Sequence, residues 1–307
     1  MKNTKQHTYL RYLGAYLSAL LLTSYCSSVF AANFYSAMSL RVSPSELIES
    51  TKNAKEMNRN NVVILDVRPA VQYQQGHIPD ALNLPTAWIM QANQLIQPYK
   101  MQTILQKLGI NTLDKIILYD DGHFSDAARV FWSLEVYGIH HVQVLEHGYQ
   151  GWQQQQQPTS QIEPKVEESD YTPNINPNVI AYKLQTFIAT HNPNQTIIDI
   201  RQPQAYQGKT SSTAFFGHIP TAINIPSAQN FDNTLKQRKL HSIENLTKLY
   251  QRLSKTALII LYGAKGQDAC VSYFALRELN YNVTNFDGAW QAWSNDPQLT
   301  ITTPQKE

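Results

Sequence analysis

The sequence predicts an α/β fold built from two similar domains, each a mostly parallel sheet with helices on both faces. Three observations carry this prediction. Short β-branched runs such as Val62–Asp66 alternate with helical stretches such as 127–137, an order typical of parallel sheets covered by helices. A set of motifs recurs in a unit of about 120 residues, which fits a duplicated domain and is too long for a solenoid repeat. At 307 residues the chain can bury two cores.

The repeated motifs lie in Val62–Pro85 and Thr196–Pro226. Each copy has Asp-x-Arg at the end of an apolar run, a tyrosine five residues after the arginine, and then Gly-His-Ile-Pro-x-Ala-x-Asn-x-Pro. The second copy carries eight additional residues before its Gly-His-Ile-Pro, around Lys209–Thr213. A single Gly-His-Ile-Pro would be weak support for a duplication, but two copies with Asp-x-Arg upstream are specific.

The repeat also sets the domain boundaries. We expect the first domain at residues 33–157 and the second at 178–303, because each unit closes on a turn followed by tryptophan. The stretch 158–177 between them is polar and contains prolines, which is typical of a linker.

The clearest candidate site follows the strand predicted over Ala257–Tyr262. A loop, Gly263–Asp268, connects this strand to a helical pattern that opens at Ala269. A loop between a strand and a helix N-terminus collects backbone N–H donors, and sites in parallel sheets lie at the carboxyl ends of strands. This loop is therefore the predicted binding site.

These motifs resemble the tandem-domain rhodanese family of thiosulfate and 3-mercaptopyruvate sulfurtransferases. In that family a cysteine follows the strand directly and leads into a glycine-containing loop and Ala-Cys. Here Gly266 and Ala269-Cys270 match this pattern, and Gly263 occupies the cysteine position. The resemblance implies two rhodanese-like domains, the first of the non-catalytic type and the second with a degenerate active-site loop.

The resemblance also supplies the candidate site residues. It implies that Arg201 contacts the substrate, although an ion pair with a strand-end carboxylate is the alternative role. The loop residues carry the remaining binding candidates: Ala264, Lys265, Gly266, Gln267 and Asp268. Lys265 either attracts an anion or is a solvent-exposed loop lysine, and Asp268 departs from the pattern because its charge would repel thiosulfate.

Cys270 is the other candidate nucleophile, but a cysteine within an apolar helix is more often a small buried hydrophobe. Three functions therefore stay open. The first is a rhodanese-like protein with impaired sulfur transfer that binds an anion, a sulfur species or a protein partner. The second is an active sulfurtransferase that uses Cys270, and the third is a purely structural or interaction protein. Whether the chain is an enzyme depends on Gly263. The sequence suggests no cofactor and no metal site.

The pattern of the first 31 residues predicts an export signal. A basic start precedes an uncharged stretch, and Val29-Phe30-Ala31 supplies small residues at the −3 and −1 positions of a cleavage site. A retained membrane anchor or a lipoprotein modified at Cys26 are the alternatives, and we expect membrane contact only if the segment stays uncleaved. Cleavage would leave Cys270 as the only cysteine, so the mature chain could form no internal disulfide.

The composition limits the partners. Hydrophobic residues make up 42% of the chain and charged residues 16%, as in a folded globular protein. The formal net charge is +2, and no basic cluster with interleaved aromatics indicates nucleic-acid binding. We expect a periplasmic or secreted protein that meets small molecules or proteins.

We predict that the mature protein begins near Ala32, because the segment before it has the basic, apolar and small-residue order of a signal peptide. Mass spectrometry of protein purified from its native host measures the N-terminus directly. An intact Met1, or a lipid on Cys26, would contradict the prediction.

Overall fold

The computed structural model describes residues 39–56, 62–92, 94–232 and 239–303. The predicted signal segment, residues 1–31, lies outside these ranges. No helix within the described ranges is both long and apolar enough to cross a membrane.

The first domain is built on a five-stranded parallel sheet in the order β1-β7-β6-β2-β3. Its strands are β1 (Arg41–Val42), β2 (Val62–Asp66), β3 (Leu82–Asn83), β6 (Lys115–Tyr119) and β7 (Val142–Leu145). Its helices are α1 (Pro44–Glu56), α2 (Ala70–Gln75), α3 (Pro98–Lys107), α4 (Ser125–Val136) and α5 (Gly148–Gln154). A 3₁₀ turn, Thr86–Ile89, leads into a small antiparallel pair, β4 (Met90–Gln91) and β5 (Gln94–Leu95).

The second domain repeats this topology, with a parallel sheet in the order β8-β14-β13-β9-β10. Its strands are β8 (Ile180–Ala181), β9 (Gln195–Asp199), β10 (Ile223–Asn224), β13 (Leu258–Tyr262) and β14 (Val283–Phe286), with an antiparallel pair, β11 (Phe231–Asp232) and β12 (Lys239–Leu240). Its helices are α6 (Lys183–Ala189), α7 (Pro203–Tyr206), α8 (Ile243–Tyr250), α9 (Cys270–Glu278) and α10 (Ala289–Ser294), and 3₁₀ turns lie at Ser227–Asn230 and Gly266–Ala269. The equivalent strand orders confirm the predicted duplication.

Both faces of each sheet are buried, as the continuous apolar strands predict. Along β2 and β6, successive side chains enter different clusters: Leu65 and Leu118 join one, and Ile64 and Ile117 join the other. The same alternation occurs in the second sheet. One cluster contains residues of both sheets, so the two domains share part of their core and are not independently packed units.

Helices α4 and α9, which occupy equivalent positions in the two domains, meet across this shared core. The rings of Phe131 and Phe274 lie edge to face with centroids 4.9 Å apart. Glu135, 3% exposed, accepts hydrogen bonds from the Tyr273 hydroxyl at 2.6 Å and from the Arg277 guanidinium at 2.7 Å. A charged hydrogen-bond network therefore joins the domains beside the apolar contact.

The connecting segment, residues 158–177, has no helix and no regular strand, yet it is fixed to the first domain. Ser160 exchanges two backbone hydrogen bonds with His77. Tyr171 is 2% exposed and donates its hydroxyl to the Tyr137 carbonyl at 2.6 Å. The polar, proline-bearing composition predicts a linker, and the structure adds that this linker is held in place along much of its length.

We predict that Glu135→Ala lowers the free energy of unfolding by about 2–3 kcal/mol, because it leaves the Tyr273 hydroxyl and the Arg277 guanidinium without their shared acceptor. Urea denaturation measures the change. Glu244→Ala is the matched control, because Glu244 forms an exposed pair with Lys248 on one helix and should change stability little. Equal effects of the two variants would contradict the prediction.

Candidate functional site

The second-domain site begins with an ion pair at the end of β9. Arg201 Nε lies 3.0 and 3.1 Å from the two oxygens of Asp199, and Nη2 lies 2.6 Å from Oδ2. Nη2 also donates to the Gly217 carbonyl at 2.8 Å, and the Tyr262 hydroxyl donates to Asp199 at 2.6 Å. The pair therefore fastens the strand end to the Gly-His-Ile-Pro turn and to β13.

The first domain repeats this arrangement with Asp66, Arg68, Tyr119 and the Gly76 carbonyl. Ion pairing is thus the structural role of the Asp-x-Arg motif in both domains. In the second domain Arg201 also lines a cleft, and its Nε and Nη2 are occupied. Nη1 is the nitrogen left to meet a ligand.

The histidines of the repeated motifs have matching structural roles. The His77 ring stacks on Tyr73 and its Nδ1 lies 2.9 Å from the Tyr73 carbonyl. His218 has the same relation to Tyr206. Within the described ranges, no group of three or more His, Cys, Asp or Glu side chains could hold a metal ion.

The loop after β13 is closed by one of its own carboxylates. The Lys265 amide donates to Asp268 Oδ2 at 3.0 Å, and the Asp268 amide donates to the Lys265 carbonyl at 3.1 Å. A Cβ atom added at Gly263 would lie 2.6 Å from the Asp268 Cβ, closer than real Cβ contacts allow. The Asp268 side chain therefore occupies the space that a side chain at position 263 would need.

The rest of this loop is held against α10. The Trp290 amide donates to the Gly263 carbonyl at 3.0 Å, and the Gln291 amide donates to the Ala264 carbonyl at 3.3 Å. A Cβ at Gly266 would lie 2.5 Å from the Asp287 carbonyl oxygen, so a larger residue does not fit there without movement. The close approach of the loop to Asp287, which precedes α10, explains the glycine at position 266.

A carboxylate also accepts amide hydrogen bonds in the corresponding first-domain loop, but this carboxylate lies at the start of the loop. Asp120 follows Tyr119 as Gly263 follows Tyr262. Its carboxylate accepts the Gly122 amide at 2.8 Å and the Ala127 amide at 3.3 Å, and burial raises the pKa of Asp120. Each domain thus supplies its loop amides with an internal acceptor.

A cleft of about 670 Å³ opens beside the second-domain loop. Of the predicted site residues it is lined by Arg201, Ala264 and Asp268. Lys265 is exposed and does not line it, which fits the solvent-exposed alternative, and Gly263 and Gly266 are buried. Gln267 belongs to the 3₁₀ turn, and its side chain lies outside the described structure.

The Rhodanese-like domain family matches residues 50–155 and 183–296, which together exceed half of the sequence. The chain belongs to the rhodanese family. It is 28% identical over 286 residues to a putative thiosulfate sulfurtransferase of Saccharopolyspora erythraea, covering 87% of this chain and 99% of the relative. It is 26% identical over 247 residues to the 3-mercaptopyruvate sulfurtransferase of Escherichia coli K12, covering 77% of this chain and 86% of the relative.

The fold agrees with a solved rhodanese structure. The crystal structure of SseA, a 3-mercaptopyruvate sulfotransferase of Escherichia coli, superposes with a TM-score of 0.68 and 24% sequence identity. The match covers 82% of this chain and 99% of SseA. The predicted pair of rhodanese-like α/β domains is therefore confirmed.

Cys270 has the environment of a buried, protonated thiol. The residue is fully buried, and its Sγ lies 3.8 Å from both the Gly266 carbonyl oxygen and Arg129 Nη1. Burial raises the pKa of the Cys270 thiol to about 11, and the nearby Arg129 charge offsets this only in part. A buried, protonated thiol is a poor nucleophile, so the geometry weighs against catalysis at this position.

The cleft also contains residues that sequence reasoning did not assign to the site. Helix α4 of the first domain contributes Ser125, Asp126 and Arg129, and the insertion of the second copy contributes Thr210–Ser212. The eight-residue insertion in the second repeat could have indicated its residues from sequence. Nothing in the sequence indicates the first-domain residues, because only the packing of the two domains brings α4 to the second-domain loop.

We predict that Cys270 resists alkylation in the folded protein at pH 8. With a pKa of about 11, the thiolate fraction at that pH is on the order of one in a thousand, and burial blocks access as well. Iodoacetamide labelling followed by peptide mapping should show Cys270 unmodified until denaturant is added. Rapid labelling without denaturant would contradict the description of this site.

Proposed function

We propose that this chain is an exported rhodanese-like protein that has lost sulfur transfer at its second-domain loop and uses the adjacent cleft for binding. The observation that carries the proposal is the pairing of Gly263 with Asp268. By resemblance, Gly263 stands where catalytic relatives place a cysteine. The side chain of Asp268 takes the space beside it and accepts a loop amide.

Sulfur transfer of this kind needs a thiolate that accepts sulfane sulfur as a persulfide and passes it on. Glycine supplies no nucleophile, and removal of a nucleophile lowers rates by several orders of magnitude. The sequence contains one other cysteine besides Cys270, and it is Cys26 in the predicted signal segment. A mature protein without that segment would have no thiol at the cleft.

Binding is the function that the remaining geometry supports. The cleft keeps Arg201, and its walls come from both domains. The sequence favours an anion, a sulfur compound or a protein partner as the ligand. The carboxylates of Asp126 and Asp268 oppose a doubly charged anion such as thiosulfate, so a small molecule of more balanced charge fits the cleft better.

Export is part of the same proposal and rests on residues 1–31. It would place the protein in the periplasm or outside the cell, where a binding protein meets small solutes first.

Heat stabilisation by added compounds tests binding without assuming a reaction, since a ligand that binds only the folded state raises the melting temperature.

We predict that Gly263→Cys alone forms little persulfide, because its Cβ would collide with the Asp268 Cβ. Adding Asp268→Gly removes that Cβ and the competing carboxylate, so the new thiol gains space and a loop amide, and its pKa should fall below the free value of about 8.5. The double variant should take up about tenfold or more sulfur from thiosulfate or 3-mercaptopyruvate than the single variant. Intact-mass measurement with peptide mapping counts and locates the added sulfur.

The matched control is Gly263→Cys with Asp268→Ala, which removes the charge but keeps the obstructing Cβ. It should take up less sulfur than the Asp268→Gly pair. Equal uptake by both pairs would show that charge, and not space, is the obstacle. No uptake by either folded pair would show that the loop cannot hold a persulfide even with a cysteine at 263, which would contradict the proposal that Gly263 and Asp268 account for the loss of sulfur transfer.

A further inference from the structure

The charge balance of the cleft indicates which ligand class it would take. Two arginines line it, and each already has a carboxylate partner: Arg201 pairs with Asp199, and Arg129 pairs with Asp287 at 3.3 Å. Asp126 lines the same cleft without a lysine, arginine or histidine within ion-pair distance among the described residues. The cleft therefore contains two guanidinium groups whose charges are already balanced by carboxylates behind them, and Asp126 without such a partner.

Asp268 adds a second carboxylate without a cationic partner. The hydrogen bond found for its side chain is the one from the Lys265 amide to Oδ2, and this leaves Oδ1 for a ligand. Asp126 is exposed at the cleft, where desolvation by the surrounding residues still raises the pKa of its carboxyl group. A ligand cation placed between Asp126 and Asp268 would interact favourably with both carboxylates.

Arg129 provides independent evidence for a ligand group with a negative charge. The residue is 1% exposed and lines the cleft, and its Nε is buried with no hydrogen-bond partner within the described part of the chain. A buried N–H without an acceptor is costly, so such groups usually meet water or a ligand. This N–H and Nη1 of Arg201 could both donate to one ligand carboxylate.

We propose that the cleft binds a small zwitterion of the α-amino acid class. The arginine donors of Arg129 and Arg201 would hold the ligand carboxylate, and Asp126 and Asp268 would hold its ammonium group. The insertion residues Thr210, Ser211 and Ser212 line the same space and would contact the ligand side chain through their hydroxyls. A cleft of about 670 Å³ has room for an amino acid with a polar side chain.

A zwitterion satisfies both sets of groups at once. An anion alone would meet the arginines but would be repelled by the carboxylates of Asp126 and Asp268, which have no cationic partner. A simple amine would leave Arg129 Nε and Arg201 Nη1 without an acceptor. The inference rests on the proposed binding function of this cleft. It does not depend on the persulfide result, because ligand binding is measured on the wild-type protein.

The test begins with the wild-type protein and the common L-amino acids, screened by thermal shift and confirmed by isothermal titration calorimetry. At least one amino acid should raise the melting temperature and bind. Its analogues lacking either the carboxylate or the amino group should bind about tenfold or more weakly. Asp126→Asn and Asp268→Asn should each weaken binding by about the same factor while leaving the circular dichroism spectrum unchanged.

Asp170→Asn is the matched control, because Asp170 is an exposed aspartate of the connecting segment and does not line the cleft. It should bind the amino acid as the wild type does. The inference is overturned if no amino acid binds, if either singly charged analogue binds as well as the zwitterion, or if the double variant Asp126→Asn with Asp268→Asn keeps full affinity. Failure of this kind would leave the proposed loss of sulfur transfer standing, since the cysteine variants test that separately.

Discussion

The buried pair of Asp199 and Arg201 is the interaction on which the second-domain site depends. Both residues are less than one-tenth exposed, and their two-pronged contact ties the end of β9 to the Gly217 carbonyl and the Tyr262 hydroxyl. Removal of one partner from such a pair typically costs about 3–5 kcal/mol, because a charge is left buried alone. Since Tyr262 ends β13, the same pair also sets where the loop after it begins.

That loop and its first-domain counterpart both contain backbone N–H groups that need an acceptor, and the acceptor lies at a different place in each. Each collects backbone N–H groups at a strand-to-helix connection, where an anionic acceptor is favoured. In the first domain the acceptor is Asp120 at the strand end, and in the second it is Asp268 at the far end of the loop. Because a Cβ added at Gly263 would lie 2.6 Å from the Asp268 Cβ, the glycine at 263 and the presence of Asp268 are parts of the same local packing.

The sequence could predict the duplication, the parallel sheets and the loop, because each is encoded by local patterns that repeat. It also allowed both roles of Arg201, and the structure shows that its ion pair and its place at the cleft coexist. Asp126 and Arg129 could not be assigned from sequence, because they join the second-domain cleft only through the packing of α4 against α9. The steric conflict at Gly263 likewise needs coordinates, since composition does not reveal how closely a loop folds on itself.

Under the proposed function, no group of this protein carries sulfur through a catalytic cycle. Steady-state turnover of thiosulfate with cyanide, and of 3-mercaptopyruvate with a thiol acceptor, tests it most directly when the wild type is compared with Cys270→Ser. We expect both proteins to match the rate measured without enzyme. Wild-type turnover well above that rate and abolished by Cys270→Ser would place catalysis on the buried helix thiol and contradict the proposed loss of sulfur transfer.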